Sequence, residues 1–457
     1  MTLIQSPVGI SVPHRFGQNE SNRYVYEELL KESTEATSLA CHYIERQLRE
    51  AAQLPPDLPD DPRQLMEWSQ TRCAAVAREY DSYLQSRKEG APRRYFTNRS
   101  HAMYFLQHVA PTKNVDGAWL SGLLTHWQDC RFDGLLDTYL EELGEGIARR
   151  NHVVIYRTLL SEHDCIDLQN LDDEDYLQGA LQLALGHCGD TYLPEAIGYN
   201  LGYEQLPLHL LITAYELREL GIDPQYFRLH VTIDNVSTGH GRKAVQALLQ
   251  LMPPGEGRKE FYRRVAQGYR LNDLGSGSTA VIQRFDLNQE VLSMLERKRR
   301  FGQHMHSDFC RIEGRTVNQW LAEPGKMDAF LDAMERKGWI LRGQPPQNSR
   351  FWHLIEGSGA VMFGVFSGYE KQLLRDWIAD GWKDPDGQPF RVRTLHMDMQ
   401  QPEVEDAEIE TLRSSLEYLS PVDQIGALIP WLSASRHWRP AGLFATRLFM
   451  QLRSSLR

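Results

Sequence analysis

Apolar residues recur at three- and four-residue spacing through most of the chain, which is the period of an amphipathic α-helix. A strand-like pattern is found only at 338–342, and the Gly-punctuated apolar run over 351–370 fits either a strand or a buried helix. The chain is therefore predicted to be mainly α-helical. Its clearest predicted helices cover 24–53, 63–88, 100–109, 116–129, 287–300, 326–337, 371–380 and 404–419.

The length of 457 residues predicts two or three domains. The prolines of LPPDLPDDP at 54–62 forbid a continuous helix there, and a new helical block begins near Arg93. We expect residues 1–92 to form a lead and a helical extension, and residues 93–270 to form a helical bundle. Residues 271–457 are expected to be an accessory region, mostly helical or α+β. It would complete a wall of the site, form a homodimer interface, or be a separate domain.

Composition narrows the functional class. A formal net charge of −11 argues against general nucleic-acid binding, and no stretch of eighteen apolar residues predicts a membrane span. The first twenty residues lack the charged and apolar regions of a secretory signal. The six cysteines lie far apart in the sequence without a CxxC pair, and they are interpreted as reduced thiols outside any metal site. We expect a cytoplasmic protein that binds neither nucleic acid nor membranes.

Two imidazoles and a carboxylate lie close together in the segment LHVTIDNVSTGHGRKA, which covers 229–244 and is predicted to be one helix. His230 and Asp234 are four residues apart and share a helical face in apolar surroundings. An unpaired buried carboxylate is costly, and a metal ion is one partner that uses both residue types. An ordinary His–Asp ion pair, or two solvated residues, remains the alternative.

A second segment contributes Glu142 and His152, which are separated by nine residues that include Gly144 and Gly146. The glycines interrupt the helix and let the chain bend. Glu142 is then expected to end one helix and His152 to begin the next, with the two side chains close together.

A third segment offers Glu195 and Glu204, which lie half a helical turn out of phase and cannot both face one site. Glu195 follows Pro194 in a first helical turn, where the helix dipole alone explains an acid. Glu204 has no such explanation and is preferred. Pro207 is expected to kink or end the helix just beyond it.

These three segments resemble the heme-oxygenase-like diiron oxidase and oxygenase family, whose members are also described as iron-containing redox enzymes. The resemblance is carried by EELGEGIARRNH, PEAIGYNLGYE and YFRLHVTIDNVSTGH, and it covers roughly residues 95–265. It implies a heme-oxygenase-like helical bundle in which inward carboxylates and histidines hold two iron ions.

The resemblance implies the ligands one by one. Glu142 and His152 match the first Glu and His of the family, Glu204 best matches its middle Glu, and His230 and Asp234 match its last ligand helix. The last family His is often three residues after the Asp, where this chain has Ser237. His240 replaces it as a ligand only if the helix is broken or bulged between Asn235 and Gly239; otherwise it lies outside the ligand set.

The implied activity is that of a dioxygen-dependent oxidoreductase, in which Glu142, His152, Glu204, His230 and Asp234 act catalytically through two Fe²⁺ ions. The family resemblance implies a small amine- or amino-acid-like substrate of specialised metabolism, oxidised by N-oxygenation, C–C cleavage or desaturation. No nicotinamide or flavin motif is found, so an external electron donor is expected. The alternatives are a metal-free enzyme of the same fold and a helical interaction protein.

Overall fold

The structure is a computed structural model, and it describes residues 20–31, 33, 35–55, 57–233, 239–306, 308–357, 360–362, 364–383 and 406–457. The N-terminal helices are α1 (Asn22–Leu30), α2 (Ala36–Ala51) and α3 (Leu65–Lys88). The central helices are α4 (Arg99–His108), α5 (Ala110–Lys113), α6 (Asp133–Glu142), α7 (His152–Glu162), α8 (Leu177–Cys188), α9 (Leu193–Tyr203), α10 (Leu208–Glu219), α11 (Gln225–Ile233), α12 (His240–Leu251) and α13 (Gly257–Arg270).

The rest of the described chain is also helical. Its α-helices are α14 (Ser278–Gln283), α15 (Leu287–Gly302), α16 (Val317–Ala322), α17 (Met327–Arg336), α18 (Arg350–Ile355), α19 (Gly368–Ala379), α20 (Ala407–Leu416), α21 (Pro421–Leu428) and α22 (Pro440–Ser455). Short 3₁₀ helices are Pro62–Gln64, Ala118–His126, Cys130–Phe132, Gly144–Gly146, Ala148–Arg150, Asp173–Tyr176, Gly189–Tyr192, Leu271–Asp273, Pro346–Asn348 and Ile429–Leu432. The prediction of a mainly α-helical protein is confirmed.

The strand expected at 338–342 is wrong. Among the described residues, the strands are β1 (Arg311–Ile312) and β2 (Arg315–Thr316), an antiparallel pair in which Arg311 faces Thr316. Gly338 has a φ of 69° and ends α17, and the Trp339 amide donates to the Met334 carbonyl at 2.9 Å. The segment therefore forms a helix C-cap, which uses backbone groups that a strand would need.

Other predicted helices changed in extent. The helix expected over 24–53 is two helices, α1 and α2. The helix expected over 100–109 is α4, and Pro111 follows it in the first turn of α5, where proline is tolerated. The helix expected over 116–129 is instead the 3₁₀ segment Ala118–His126. The helices predicted near 287, 326, 371 and 404 are confirmed as α15, α17, α19 and α20, and part of the undecided 351–370 run is α18.

The apolar side chains form two cores that do not follow the order of the sequence. One core joins α1, α2, α6, α8, α9, α12 and α13 to residues of the last three helices. The other joins α4, α7, α10 and α11 to α14–α19. Helices α14–α19 therefore pack in the second core, whereas α20–α22 pack in the first.

Helices α9 and α13 touch backbone to backbone, and this contact fixes α9. A Cβ atom on Gly198 would lie 1.9 Å from the Val265 carbonyl oxygen, and one on Gly268 would lie 2.0 Å from that of Glu195. Only glycine allows this approach. No helix in the described part of the chain is both long and apolar enough to cross a membrane.

Candidate metal centre

The break between α6 and α7 brings Glu142 and His152 together. Glu142 is the last residue of α6, and Gly144 and Gly146 take φ values of 62° and 76°, which reverse the chain. Asn151 then caps α7, because its side-chain oxygen accepts a hydrogen bond from the Val154 amide at 3.0 Å. His152 is therefore the first residue of α7, and the predicted bend is confirmed.

A first group of ligand-type side chains consists of Asp116, Glu142, His152 and His230. All four are buried, and one ligand atom from each lies within 4.8 Å of the others. Nε2 of His230 is 3.2 Å and Nδ1 of His152 is 3.6 Å from Oδ2 of Asp116, and His152 Nδ1 also contacts Oε2 of Glu142. Two carboxylates and two imidazoles thus converge from four separate segments.

A second group consists of Glu142, Glu204 and His240, all buried and also within 4.8 Å of one another. Nδ1 of His240 lies 3.0 Å from Oε2 of Glu204 and 3.5 Å from Oε1 of Glu142. Glu142 belongs to both groups, with Oε2 towards His152 and Oε1 towards His240. A carboxylate with one oxygen in each of two adjacent sites has the arrangement of a bridging ligand.

The single helix expected over 229–244 is wrong. Helix α11 ends at Ile233 and α12 begins at His240, after an extended Gly239 with φ −89° and ψ −166°. Because a new helix begins at His240, the direction of its side chain does not depend on the helical periodicity of α11. Asp234 lies outside the described residues, as do Asn235 and Ser237.

The structure places Glu204 and Glu195 in different surroundings. Glu204 follows the last residue of α9 and is 2% exposed beside His240. Glu195 faces elsewhere and receives two hydrogen bonds from Arg264, at 2.7 and 2.6 Å. Pro207 ends the helical run: it is the N-cap of α10, so the chain turns directly after Glu204.

Asp116 was missed in the sequence and was interpreted only as the start of a helix. It lies in the short connection after α5, before Gly117 with a φ of 82°. Its Oδ1 accepts a hydrogen bond from Tyr203 at 2.8 Å, and its Oδ2 accepts one from Tyr226 at 2.5 Å. An aspartate before an apolar run is also typical of a helix cap, so the local pattern held no signal for this role.

Opposite charges in a buried environment shift the pKa values of two residues of the first group, Asp116 and His152. Burial alone would raise the pKa of Asp116, but Lys113 and the imidazoles of His152 and His230 hold it well below its usual range. Burial alone would lower the pKa of His152, but Glu142 and Asp116 raise it to about 10. Without a metal ion, a proton on His152 thus supplies positive charge that helps to balance these carboxylates.

The residues present fit a metal ion. Glu142 Oε2 and His152 Nδ1 are buried and in contact, yet neither makes a hydrogen bond of acceptable geometry within the described part of the chain. Buried polar atoms are nearly always satisfied, so such a pair indicates a missing partner. Carboxylate and imidazole together suit iron, manganese or zinc.

By their positions in the sequence alone, Tyr203, Asn200 and Asn235 are candidates to orient the ligands. Tyr203 does contact Asp116, and its hydroxyl in turn accepts a hydrogen bond from Lys113 Nζ at 2.9 Å. Asn200 instead accepts a hydrogen bond from the Trp119 indole at 2.9 Å, and Asn235 lies outside the described residues. Tyr226, which was not expected, orients the other oxygen of Asp116.

Arg149, Arg150 and Arg157 surround His152 in the sequence, and an arginine fork there would suit a substrate carboxylate. Arg150 pairs with Glu145 at 2.8 Å, Arg157 lies 4.0 Å from the ring centroid of Trp438, and Arg149 is exposed. Arg150 and Arg157 are thus engaged in other contacts.

The C-terminal segment covers the break between α6 and α7. The Arg447 guanidinium in α22 donates to the Gly146 carbonyl at 2.5 Å, and the Tyr139 hydroxyl donates to the Leu432 carbonyl. His437 is 1% exposed, and its Nδ1 lies 3.0 Å from the side-chain nitrogen of Asn151, next to His152. Residues 432–447 therefore pack against the α6–α7 break and beside His152.

Comparison with known proteins assigns the segment that holds most of these residues. The model of a family described as iron-containing redox enzyme matches residues 103–273. Residues 103–273 are therefore similar to the iron-containing redox enzyme family. The family has a heme-oxygenase-like helical fold, which agrees with the helices found here, and its description supports an oxidoreductase. No curated protein and no solved structure matches the chain significantly.

Proposed function

We propose that this protein is a non-heme diiron oxidase or oxygenase that uses dioxygen to oxidise a small amine- or amino-acid-like metabolite. The observation that carries the proposal is the sharing of Glu142 between two buried ligand groups. Two adjacent sites joined by one carboxylate are what a pair of ions in a helical bundle requires.

Each residue has a defined part in this proposal. Asp116, His152 and His230 would hold one ion, Glu204 and His240 the other, and Glu142 would bridge them. Asp234 remains a proposed ligand from the sequence resemblance alone. When bound, ferrous iron supplies the electrons that activate dioxygen. The imidazoles must be neutral to act as ligands, so His152 must release its proton when the site is loaded.

The surrounding residues would orient the ligands and exclude water. Tyr203 donates a hydrogen bond to one oxygen of Asp116 and Tyr226 donates one to the other, and together they fix the carboxylate plane. Glu141 does the same for His240, since its Oε2 lies 2.6 Å from His240 Nε2 while its Oε1 accepts from Lys243 at 2.6 Å. The residues of both groups are buried, which keeps their charges in a low-dielectric environment, where they interact strongly.

Lys113 supports an amino-acid-like substrate better than the arginines do. Its ammonium donates to Tyr203 and lies 5.2 and 5.7 Å from the ring centroids of Tyr203 and Tyr226, beside the Asp116 carboxylate. In this proposal the Lys113 ammonium, which lies beside the centre, would pair with the carboxylate of a small substrate. N-oxygenation, C–C cleavage and desaturation are all compatible with this placement.

Further parts of the proposal come from the sequence. Because the sequence has no nicotinamide or flavin motif, we propose that an external reductant supplies electrons. We also propose a cytoplasmic protein of specialised metabolism, since the cysteine pattern lacks a disulfide framework. A homodimer through the accessory region is a further proposal.

The decisive experiment is anaerobic loading with Fe²⁺, followed by removal of free metal and measurement of iron and protein. We expect about two irons per chain, as in other two-ion bundle sites, with the Mössbauer signature of a coupled pair after oxidation. Dioxygen uptake should then rise with one class among a panel of amino acids and amines.

Different outcomes separate the alternatives. One iron per chain or fewer would contradict the diiron centre. Absence of bound metal together with absence of dioxygen uptake would favour a metal-free enzyme of this fold or a helical interaction protein. Full iron loading with dioxygen uptake that only other substrate classes stimulate would retain the centre and overturn the substrate class.

A further inference from the structure

Two cysteines that are 147 residues apart in the sequence meet in the fold. Cys41 lies in α2 and Cys188 is the last residue of α8, and their sulfur atoms are 3.0 Å apart. The two helices pack against each other within one apolar core. Both are free thiols, as the sequence predicts, and helix packing joins two cysteines that the sequence separates.

The two thiols differ in access and acidity, as an attacking and a resolving thiol do. Cys41 is half-buried, whereas Cys188 is 5% exposed. The hydrogen bond from Cys188 lowers the pKa of Cys41, and the same bond, together with burial, raises the pKa of Cys188. The accessible sulfur is thus the one favoured as a thiolate, which is the nucleophilic form.

We propose that Cys41 and Cys188 are a redox-modification site that forms a reversible disulfide by exchange with a small-molecule disulfide such as oxidised glutathione. The Cys41 thiolate attacks one sulfur of oxidised glutathione, a mixed disulfide forms, and one glutathione thiolate leaves. Cys188 then loses its proton to solvent and attacks the Cys41 sulfur, so that the second glutathione leaves. Both cysteines are oxidised, and one oxidised glutathione is reduced to two thiols.

The bond needs little movement. A disulfide requires a sulfur separation of about 2.05 Å, so the two atoms must approach by about 1 Å. The link would tie the N-terminal helix α2 to the end of α8. Two residues before Cys188, Gly186 approaches the segment that follows Asp116 so closely that a Cβ there would lie 2.2 Å from the Ala118 carbonyl oxygen. The inference stands on this geometry and does not rest on the proposed function.

The test treats the folded full-length protein with oxidised glutathione and maps the products by mass spectrometry without reduction. We expect loss of both thiols, the mass of two hydrogens removed per chain, and a cross-linked peptide pair containing Cys41 and Cys188, all reversed by dithiothreitol. In Cys188→Ser, the mixed disulfide cannot be resolved, so one glutathione should remain on Cys41.

The controls use cysteines outside the pair. Cys130 is exposed and Cys73 is half-buried, and neither Cys130→Ser nor Cys73→Ser should change the yield of the cross-linked peptide. A stable glutathione adduct on Cys41 of the unaltered protein, without the cross-link, would overturn the proposal. So would labelling of Cys130 while Cys41 stays unreacted. If Cys188→Ser fails to fold, judged by circular dichroism, the cross-link in the unaltered protein still decides.

Discussion

Two buried carboxylates in this protein, Glu216 and Glu142, have opposite hydrogen-bonding environments. Glu216 in α10 is fully buried and accepts four hydrogen bonds, from the hydroxyl of Tyr83 and from the backbone amides of Arg94, Tyr95 and Phe96, at 2.5–3.0 Å. Glu142 is as well buried, yet its Oε2 makes no hydrogen bond of acceptable geometry and instead contacts His152.

The difference separates a structural carboxylate from a candidate ligand. Fixed amide donors around Glu216 balance its charge permanently and join α10 to the segment before α4. The partners of Glu142 are imidazoles, which can lose a proton and coordinate a cation in its place. A carboxylate that is satisfied by main-chain donors holds the fold, whereas one that faces titratable partners from other helices is available for a metal.

The largest effect should follow from removing the shared residue. Because Glu142 belongs to both ligand groups, Glu142→Ala should lower iron from about two per chain to nearly none, with helical content retained. Metal analysis after anaerobic loading measures this. Iron near the unaltered level in the variant would show that Glu142 is not a bridging ligand.

Residues of a single group should have about half that effect. Asp116→Ala should weaken one site, and Glu204→Ala the other, so that each variant retains about one iron per chain. Iron titration under anaerobic conditions, with circular dichroism as a control for folding, checks both. Loss of all iron in both variants would mean that the two sites fill only together, and would contradict independent groups.

Glu216→Gln should lower the stability of the fold and leave iron binding unchanged, the reverse of what is expected for Glu142→Ala. It leaves buried amide donors facing a neutral group, and we expect a loss of about 2–3 kcal/mol in the free energy of unfolding. Iron binding by the folded fraction should not change. Urea unfolding measures the first quantity and metal analysis the second; a lower iron content in Glu216→Gln would remove the contrast between the two carboxylates.

A pH-dependent effect concerns His437, whose neutral state contrasts with the protonated His152 nearby. Burial lowers the pKa of His437 to about 3, below its unfolded value near 6.5. The unfolded state then binds more protons below pH 6.5, so stability is present above that pH and is lost as the pH falls towards 3. Relative to His437→Gln, the unaltered protein should lose about 3 kcal/mol more between pH 7 and 4.

The measurement is urea unfolding at several pH values with a chelator present, so that metal binding does not contribute. His437→Gln keeps a side-chain acceptor for Asn151 and serves as the matched variant. Parallel pH curves for the two proteins would show that His437 is not held neutral.

The smallest effect is expected for Glu195→Gln. Glu195 pairs with a partly exposed Arg264, so its loss should cost about 1 kcal/mol of stability. Iron content should equal that of the unaltered protein, in contrast to Glu204→Ala on the same helical segment. Reduced iron in Glu195→Gln would reverse the choice between the two glutamates.

The parts of the site that could be predicted depend on local chemistry. Gly144 and Gly146 predicted the bend that brings Glu142 close to His152. The position of Glu195 after Pro194, in a first helical turn, accounted for an acidic residue there without a ligand role. His240 was a weaker inference, because a continuous helix would have turned its side chain away. The break before His240 removes that restriction.

Asp116 shows where local reasoning stops. It is 26 residues from Glu142, 36 from His152 and 114 from His230, and its only local signal is that of a helix cap. Its part in the site depends on the tyrosines of α9 and α11 that hold its oxygens. The strand expected at 338–342 failed for a related reason, since the end of α17 used the backbone groups first.

By itself, the amino-acid sequence determined the helical class, the breaks at 54–62, at 143–151 and before Pro207, and several of the acids and histidines that could serve as ligands. These properties depend on backbone preferences and on spacing within one or two helical turns. Only the tertiary structure decided that Asp116 joins them, that Glu142 is shared by two groups, and that Cys41 meets Cys188. Such contacts depend on how helices far apart in the chain pack, and packing is set by the whole core, not by any short segment of sequence.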